Sequence, residues 1–233
     1  MIDLEKCIIC NAKTVQKDFL WICTSCKHGY REFENNLIDY HKNEYRKNFT
    51  RVRNEFDENG NVTQIFHDAR KKIVEERLMI VKKYLNKNCT IVDIGSGAGT
   101  FAYTIKPFVK NIICLELDDA LVKESNRLGF KTIQEDFITT NFTKTFDIVF
   151  AWHVLEHIEN IHEFIKKCYK LSNEYVIIEV PTRRAAKQKF DGHVHYFNEN
   201  SLSRLAHLHG FKIEKIQNGV QKPAILIILK KII

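Results

Sequence analysis

The sequence predicts an α/β fold: a seven-stranded, mostly parallel sheet with an antiparallel last strand, preceded by a small N-terminal zinc ribbon or knuckle. From about residue 64 onward, apolar stretches of strand length alternate with helical patterns, which is typical of parallel strands joined by right-handed crossovers. One stretch ends in glycines at alternate positions, Gly95, Gly97 and Gly99, where a chain can turn tightly from a strand into a helix. Two Cys-x2-Cys pairs precede this region and have the form of a metal site.

The N-terminal segment contains four closely spaced cysteines: Cys7, Cys10, Cys23 and Cys26. Each pair can turn both thiolates toward one tetrahedral ion, so the spacing favours a structural zinc site. The gap between the pairs is slightly below the usual gap of about 15 to 20 residues. Disulfides are the alternative, and His28 could replace one sulfur ligand. A segment this short has no core of its own and is expected to need the metal to fold.

Composition divides the chain into three predicted parts: the zinc module at residues 1–34, a polar segment at 35–63 and the main domain at 64–233. The polar segment is rich in Asn and Asp, and we interpret it as a linker or a substrate-facing loop. The main domain is predicted to begin with a helix from about Gln64 to Tyr84, because its apolar residues fall on one stripe.

The rest of the main domain continues the alternation. Helices are expected after the first, second and fourth strands, and a last helix has Asn198 as its N-cap and ends before Gly210. Only the short link Asn218–Lys222 separates the last two strands, so these should pair antiparallel. The predicted strands cover about 90–94, 111–117, 131–135, 145–150, 175–180, 211–217 and 224–230.

Acidic side chains stand beside the glycines and at the ends of the next strands. Asp93 precedes the first glycine by two residues, and the spacing differs from the G-x-G-x-x-G pattern of dinucleotide sites. Glu116 ends the second strand, where a carboxylate can accept both ribose hydroxyls of a nucleoside. The alternative for Glu116 is a first-turn acid of the following helix. The third strand leads into Asp136 and Phe137, a pair suited to an adenine amino group and ring face.

The string from Asp93 to Gly99 resembles the first motif, D-x-G-x-G-x-G, of class I S-adenosylmethionine (SAM) methyltransferases. Residues 151–158 resemble the fourth motif of small-molecule methyltransferases that carry H-V-L-E-H-I. The resemblance covers about residues 64–233 and implies a Rossmann-like class I methyltransferase fold. The SAM-binding residues that it implies are Asp93, Gly95, Ser96, Gly97, Gly99, Glu116, Leu117, Asp136, Phe137, Trp152 and His153.

Two histidine-rich segments follow the fourth and fifth strands, at the edge of the sheet where ligands bind. The long basic loop after the fifth strand is similar to the histidine-bearing loop of sugar and other small-molecule methyltransferases. Because SAM already carries an activated methyl group, a hydroxyl acceptor needs mainly positioning and a base, and histidine suits that role near neutral pH. The candidate catalytic residues are His193, His195 and His153.

The candidate substrate-binding residues are Glu156, His157, Arg183 and Tyr196. The bland alternatives are that His195 caps a helix or packs with its aromatic neighbours, and that His157 is a simple first-turn residue. The H-x-H pair could also bind a metal, with His153 or Glu156 as a third ligand.

The acceptor is expected to be a small hydroxylated molecule, such as a sugar, a nucleotide-linked compound or a phosphorylated metabolite, and anionic or sugar-like. The N-terminal cysteine pairs resemble those that precede some sugar methyltransferase domains, and no N/D-P-P-Y string typical of amino-methylating nucleic-acid enzymes follows the fourth strand. One alternative is an RNA methyltransferase that grips RNA with its zinc module; another is a non-catalytic subunit that binds SAM or a nucleotide. The module is close to neutral, which disfavours nucleic acid.

The overall composition is ordinary for a globular protein, with 44% hydrophobic and 28% charged residues among 233. The net charge of +7 comes from scattered lysines and only modestly favours anionic partners. No apolar stretch is long enough to span a bilayer and the N-terminus lacks a signal-peptide pattern, so a cytoplasmic location without membrane contact is expected.

Overall fold

The structure is a computed structural model, and it describes residues 4–32, 37–43, 54–186 and 192–232. Asp191, which begins the histidine motif of the long loop, and residues 33–36 and 44–53 of the first two sequence parts lie outside the described residues. In chain order the strands are β1 (Thr14–Lys17), β2 (Leu20–Cys23), β3 (Gly29–Tyr30), β4 (Thr90–Ile94), β5 (Asn111–Leu115), β6 (Lys131–Ile133), β7 (Phe146–Trp152), β8 (Ser172–Pro181), β9 (His195–Tyr196), β10 (Phe211–Asn218) and β11 (Ala224–Lys231). The helices are α1 (Leu37–Asn43), α2 (Gln64–Val81), α3 (Thr100–Ile105), α4 (Asp119–Arg127), α5 (Ile161–Leu171) and α6 (Glu199–Leu208).

Within the described ranges, seven strands form the main sheet in the order β10-β11-β8-β7-β4-β5-β6. β4 pairs parallel with β5 and β7, while β11 lies antiparallel between β8 and β10. This confirms the predicted α/β class and the antiparallel last strand. The short connection between β10 and β11 requires that pairing because it has too few residues for a crossover.

The helix boundaries follow local capping chemistry. The Asn198 side chain accepts from the backbone N–H of Ser201 in a capping box, as the sequence predicts for the start of α6. The helix after the fourth strand begins only at Ile161, where Asn160 caps it. Residues Leu155–His157 instead form a separate 3-10 turn, so His157 does not belong to α5.

The core occupies both faces of the main sheet. One face packs against α5 and α6 and includes Cys7, Ile9 and Cys26 of the N-terminal segment in the same apolar cluster. The other face packs against α2 and α3. The N-terminal segment therefore shares its apolar contacts with the main sheet.

A second sheet joins distant parts of the chain, in the order β1-β2-β3-β9. β9 comes from the long loop after β8 and pairs antiparallel with β3, with Gly29 opposite Tyr196 and Tyr30 opposite His195. The sequence patterns did not predict this pairing. Among the described residues, no helix is both long and apolar enough to cross a membrane.

Candidate functional site

The turn after β4 requires its glycines. Gly95, Gly97 and Gly99 have φ values of 64°, 57° and 76°, a region that disfavours side chains. A Cβ at Gly95 would lie 2.6 Å from Cγ2 of Val154, whereas a Cβ at Gly97 would meet nothing within 4 Å. The middle glycine therefore faces open space, and no side chain separates its backbone from a ligand in that space.

Glu116 holds this turn from the end of β5. Its Oε2 accepts from the N–H of Gly97 at 2.8 Å, and its Oε1 accepts from the N–H groups of Leu117 at 2.8 Å and Asp118 at 3.1 Å. Burial raises the pKa of this carboxyl, although the three N–H donors oppose the rise. Because each carboxylate oxygen has two lone pairs, Glu116 can still accept from a ligand hydroxyl.

A cavity of about 590 Å³ opens beside this turn, at the carboxyl ends of the parallel strands. Its size and position are those of a small-molecule site in an open α/β sheet. The residues proposed for SAM that line it are Gly95, Gly97, Glu116, Leu117, Asp136, Phe137, Trp152 and His153. Those proposed for SAM that do not line it are Asp93, Ser96 and Gly99.

Asp93, in β4 just before the glycine turn, has no exposed surface, and neither carboxylate oxygen has a hydrogen-bond partner among the described residues. Burial raises the pKa of this carboxyl to about 7, although the positive charge of Arg77 lowers it. The charge of Glu116 adds a further rise. Asp93 is therefore buried within β4 and does not line the cavity.

Further walls of the cavity come from the segment before the main sheet. Phe56, Phe66 and Arg70 line it, and the Arg70 guanidinium stacks 3.5 Å from the Phe66 ring centroid while it bonds Glu55 at 3.0 Å. These three residues are not among the site residues predicted from the sequence. The four-residue spacing of Phe66 and Arg70 on one helix face is the signal that could have found them.

His153 lies between two buried carboxylates and has a φ of 57°. Its Nε2 is 2.9 Å from Oε1 of Glu179, and its Nδ1 is 3.2 Å from Oε1 of Glu156. Burial lowers the pKa of this imidazole, but the two carboxylates outweigh that effect and the pKa is raised. An imidazole ring that donates hydrogen bonds from both nitrogens is protonated. In that state it cannot act as the base that removes a proton from the methyl acceptor.

Glu179 connects His153 to helix α2. Its carboxylate, with no exposed surface, accepts from Arg77 at 3.2 Å and from the N–H groups of Val220 and Gln221 at 3.1 and 3.2 Å. Burial opposes ionisation, yet His153, Arg77 and a backbone N–H lower the pKa of Glu179 to about 2. No sequence pattern predicted the contacts of Glu179 with His153 and Arg77, although a lone acid inside the apolar run of β8 is a visible signal.

Three other side chains converge beside His153, and we call Glu156, His157 and His193 the Glu-His-His cluster. Oε1 of Glu156 lies 3.9 Å from Nε2 of His157 and 4.0 Å from Nε2 of His193. Nδ1 of His157 lies 2.8 Å from the carbonyl oxygen of Gly192, so that nitrogen carries the proton in the neutral ring. His157 and His193 line the cavity, and Glu156 lies behind them with no exposed surface.

The structure separates His195 from this cluster. Its ring stacks on His28 with 5.2 Å between centroids, its Nε2 lies 3.2 Å from the carbonyl oxygen of Glu159, and it has no exposed surface. Burial lowers the pKa of His195 to about 4. His195 does not line the cavity, so the expectation that both imidazoles of the H-x-H pair face one acceptor is not met.

Two of the predicted substrate residues also lie off the cavity wall. Tyr196 is fully buried opposite Gly29, and Arg183 is exposed in a 3-10 turn after β8. Neither lines the cavity. The pairing of β9 with β3 turns Tyr196 into the protein interior.

The four N-terminal cysteines converge as a tetrahedral zinc site requires. Sγ of Cys7 lies 3.6 Å from Sγ of Cys26, and Sγ of Cys10 lies 3.4 Å from Sγ of Cys23. Sulfurs at tetrahedral zinc are about 3.8 Å apart, given a zinc–sulfur bond of about 2.3 Å. None of these four cysteines is in a disulfide bond, and the backbone N–H of Cys26 donates to Cys23 Sγ at 3.3 Å. His28 bonds His195 instead of joining this set.

Comparisons with known proteins agree with this geometry. Residues 63–216 match a family model described as a methyltransferase domain. A search of curated proteins found none that matches the chain.

Solved structures similar to this chain include magnesium protoporphyrin IX methyltransferase (ChlM) from Synechocystis PCC 6803 with bound SAM, with a TM-score of 0.63 and 15% identity over 86% of this chain and 100% of that one. A second is the N-methyltransferase NodS from Bradyrhizobium japonicum WM9, with a TM-score of 0.57 and 13% identity over 70% of this chain and 96% of that one. A third is a SAM-dependent methyltransferase from Clostridium acetobutylicum ATCC 824, with a TM-score of 0.56 and 11% identity over 69% of this chain and 91% of that one.

At such low identities these structures show a shared fold, and the family model covers most of the chain. The chain belongs to the methyltransferase domain family and is a class I SAM-dependent methyltransferase.

Proposed function

We propose that the protein methylates a small hydroxylated acceptor, such as a sugar, a nucleotide-linked compound or a phosphorylated metabolite. The observation that carries this proposal is the shared cavity: the glycine turn and Glu116 line one part of it, and His157 and His193 line another. A methyl donor and an acceptor bound there would lie side by side, which is the positioning that group transfer needs.

The donor site that we propose uses the polar and apolar groups along the strand ends. Glu116 would accept the ribose hydroxyls, the backbone at Gly97 would face the donor, and Asp136 with Phe137 would hold the adenine. Oδ1 of Asp136 already accepts from the N–H of Ile138 at 2.8 Å, which fixes the direction of its carboxylate. SAM supplies an activated methyl group on a sulfonium sulfur.

The acceptor side is the Glu-His-His cluster. As the acceptor oxygen forms its bond to the methyl carbon, the carbon–sulfur bond breaks and the hydroxyl proton must leave. We assign removal of this proton to the cluster. His193, a candidate base from the sequence, would take the proton. Protonated His153 would instead hold Glu156 in place, and His195 would hold the loop.

Two basic side chains, those of Arg70 and Lys222, line the cavity among several acidic ones and are candidate contacts for an anionic group of the acceptor. The guanidinium of Arg70 is held in place by Glu55 and the Phe66 ring, so it is preorganised to meet a phosphate or a carboxylate. We propose these two cations, rather than Arg183, as contacts for an anionic group.

The N-terminal cysteines would hold a structural zinc ion in this proposal. Four thiolates close its coordination shell and leave no position for substrate, so the ion would act through folding. Packing of Cys7 and Cys26 into the same core as α5 supports a scaffolding role rather than a grip on RNA.

A direct test combines binding and turnover. SAM titrated calorimetrically into wild-type protein should bind, and Glu116→Ala should weaken binding by about tenfold or more, because charge-assisted hydrogen bonds are lost. Nucleotide sugars and phosphorylated metabolites are then screened by mass spectrometry for a gain of one methyl group. A salt-sensitive RNA complex with methylation of RNA, and of none of these small molecules, would contradict the proposal.

A further inference from the structure

The Glu-His-His cluster has the composition and spacing of a metal site. One oxygen of Glu156 and one nitrogen each of His157 and His193 lie within 4.8 Å of one another. Ligand atoms around one divalent ion are about 3 Å apart, given metal–ligand bonds of about 2.1 Å. Small side-chain rotations would therefore bring these three atoms onto one ion. This set is separate from the four cysteines.

The imidazole of His157 is oriented as metal-ligating histidines usually are. Its Nδ1 bonds the carbonyl oxygen of Gly192, so Nε2 carries the lone pair, and Nε2 is the atom that faces Glu156. A histidine ligand typically donates its other N–H to a backbone carbonyl or a carboxylate in this way.

Glu156 supplies an independent observation. Its side chain has no exposed surface, and its Oε2 has no hydrogen-bond partner among the described residues. Its Oε1 is held by His153 at 3.2 Å. A buried carboxylate oxygen without a partner is costly, and an ion beside it would remove that cost.

The charged groups around the cluster do not disfavour a cation. Two carboxylates, those of Glu156 and Glu179, face one guanidinium, that of Arg77, and the imidazole of His153. Positive charges in this network therefore do not outnumber negative ones in either protonation state of His153. His157 and His193 line the cavity, so the open side of the cluster faces the place proposed for the acceptor.

We propose that Glu156, His157 and His193 bind a divalent transition-metal ion in the acceptor half of the cavity. Two histidines and one carboxylate on one side of an ion leave further positions open to a ligand, and nitrogen-containing sets favour ions such as Zn²⁺, Mn²⁺ or Fe²⁺ over Ca²⁺.

The catalytic meaning of this ion rests on the proposed function. A cation at this place would bind the acceptor oxygen and lower the pKa of its hydroxyl, so the proton would leave to solvent. The cluster would still promote loss of the hydroxyl proton, but His193 would do so as a ligand of the ion, which refines its assignment above as an imidazole base.

Binding of Mn²⁺ is measured by the decrease in the electron paramagnetic resonance signal of the free ion. Protein loaded with zinc at its cysteines is titrated in the absence of SAM and acceptor, because thiolate sites favour the softer metal. We expect one Mn²⁺ per chain, with affinity reduced by about tenfold or more in His193→Ala and His157→Ala. The matched control is His207→Ala, an exposed histidine on α6, which should bind Mn²⁺ as wild type does.

The inference is overturned if folded wild-type protein binds no Mn²⁺, or if folded His193→Ala and His157→Ala both bind it unchanged. Circular dichroism establishes which variants are folded. Specific Mn²⁺ binding without methylation of any hydroxylated acceptor would keep the metal site and remove the proposed function. Methylation of such an acceptor by a protein that binds no Mn²⁺ would support the proposed function and remove the metal site.

Discussion

Nε2 of His28 lies 3.1 Å from Nδ1 of His195, although 167 positions separate them in the chain. Next to this contact, the N–H of Arg31 donates to the carbonyl oxygen of Val194 at 2.9 Å. The N–H of Val194 in turn donates to the carbonyl oxygen of Glu156 at 2.9 Å. The N-terminal module thus holds the loop that carries His193, and His195 belongs to that attachment.

Metal removal should therefore loosen this loop. We expect about one structural zinc per chain, and chelation should unfold the module because the four thiolates lose their common ligand. Amide hydrogen exchange in β9, at His195 and Tyr196, should accelerate, since this strand would lose its partner β3. Amides of β4 in the main sheet serve as the internal control. Unchanged protection of β9 in metal-free protein would show that the module does not support the loop.

The two histidines of the long loop should respond differently to truncation. His193→Ala should lower turnover on the true acceptor by about a hundredfold or more, while SAM affinity changes little. His195→Ala should lower the free energy of unfolding, because it leaves His28 without its buried contact. Kinetics, calorimetry and denaturant titration on both variants separate these effects. Near wild-type turnover in His193→Ala would exclude it from the reaction.

Substitution of the middle glycine should block SAM. Gly97→Arg places a long side chain in the cavity, so we expect SAM affinity to fall by more than about tenfold. Gly60→Arg is the matched control, because Gly60 also has a positive φ, 77°, and open space around its Cβ, but does not line the cavity. Both variants carry similar backbone strain. Equal SAM affinities in the two variants would place the donor elsewhere.

The buried pair of Glu179 and His153 should make stability depend on pH. The pKa of Glu179 falls from its ordinary 4.5 to about 2, so its stabilising effect is present above about pH 4.5 and is lost as pH falls toward 2. The pKa of His153 is raised from 6.5, so its effect is present below pH 6.5 and is lost as pH rises through the folded value.

Glu179→Gln tests the acid side of this dependence. Near pH 6 the variant should be less stable than wild type by a free energy of unfolding on the order of 3 kcal/mol, because it leaves His153 and Arg77 without a buried counter-charge. Denaturant titrations at several pH values should show this difference shrinking between pH 5 and about pH 2 to 3. A difference that does not vary with pH would mean that the charge of Glu179 contributes nothing.

Particular sequence patterns were sufficient to predict much of the fold and the donor side of the cavity. The alternation of strands and helices gave the sheet, and the three glycines with Glu116 marked the turn that the structure places on the cavity. These features depend on local periodicity and on backbone conformations that glycine alone adopts readily, so a sequence read by itself reveals them. The two Cys-x2-Cys pairs are also visible in the sequence because the spacing within each pair is short, whereas the contacts of Cys7 with Cys26 and of Cys10 with Cys23 join one pair to the other.

Only the tertiary structure separated His193 from His195, placed Glu156 behind the cavity wall and joined Glu179 to Arg77 and His153. Each of these arrangements depends on pairing between distant segments, above all that of β9 with β3. A pattern of residue types does not specify which distant backbone groups will pair or which way a loop side chain will then turn. The sequence therefore determined the fold and the chemistry available to the protein, and long-range packing decided which of its histidines meet the cavity.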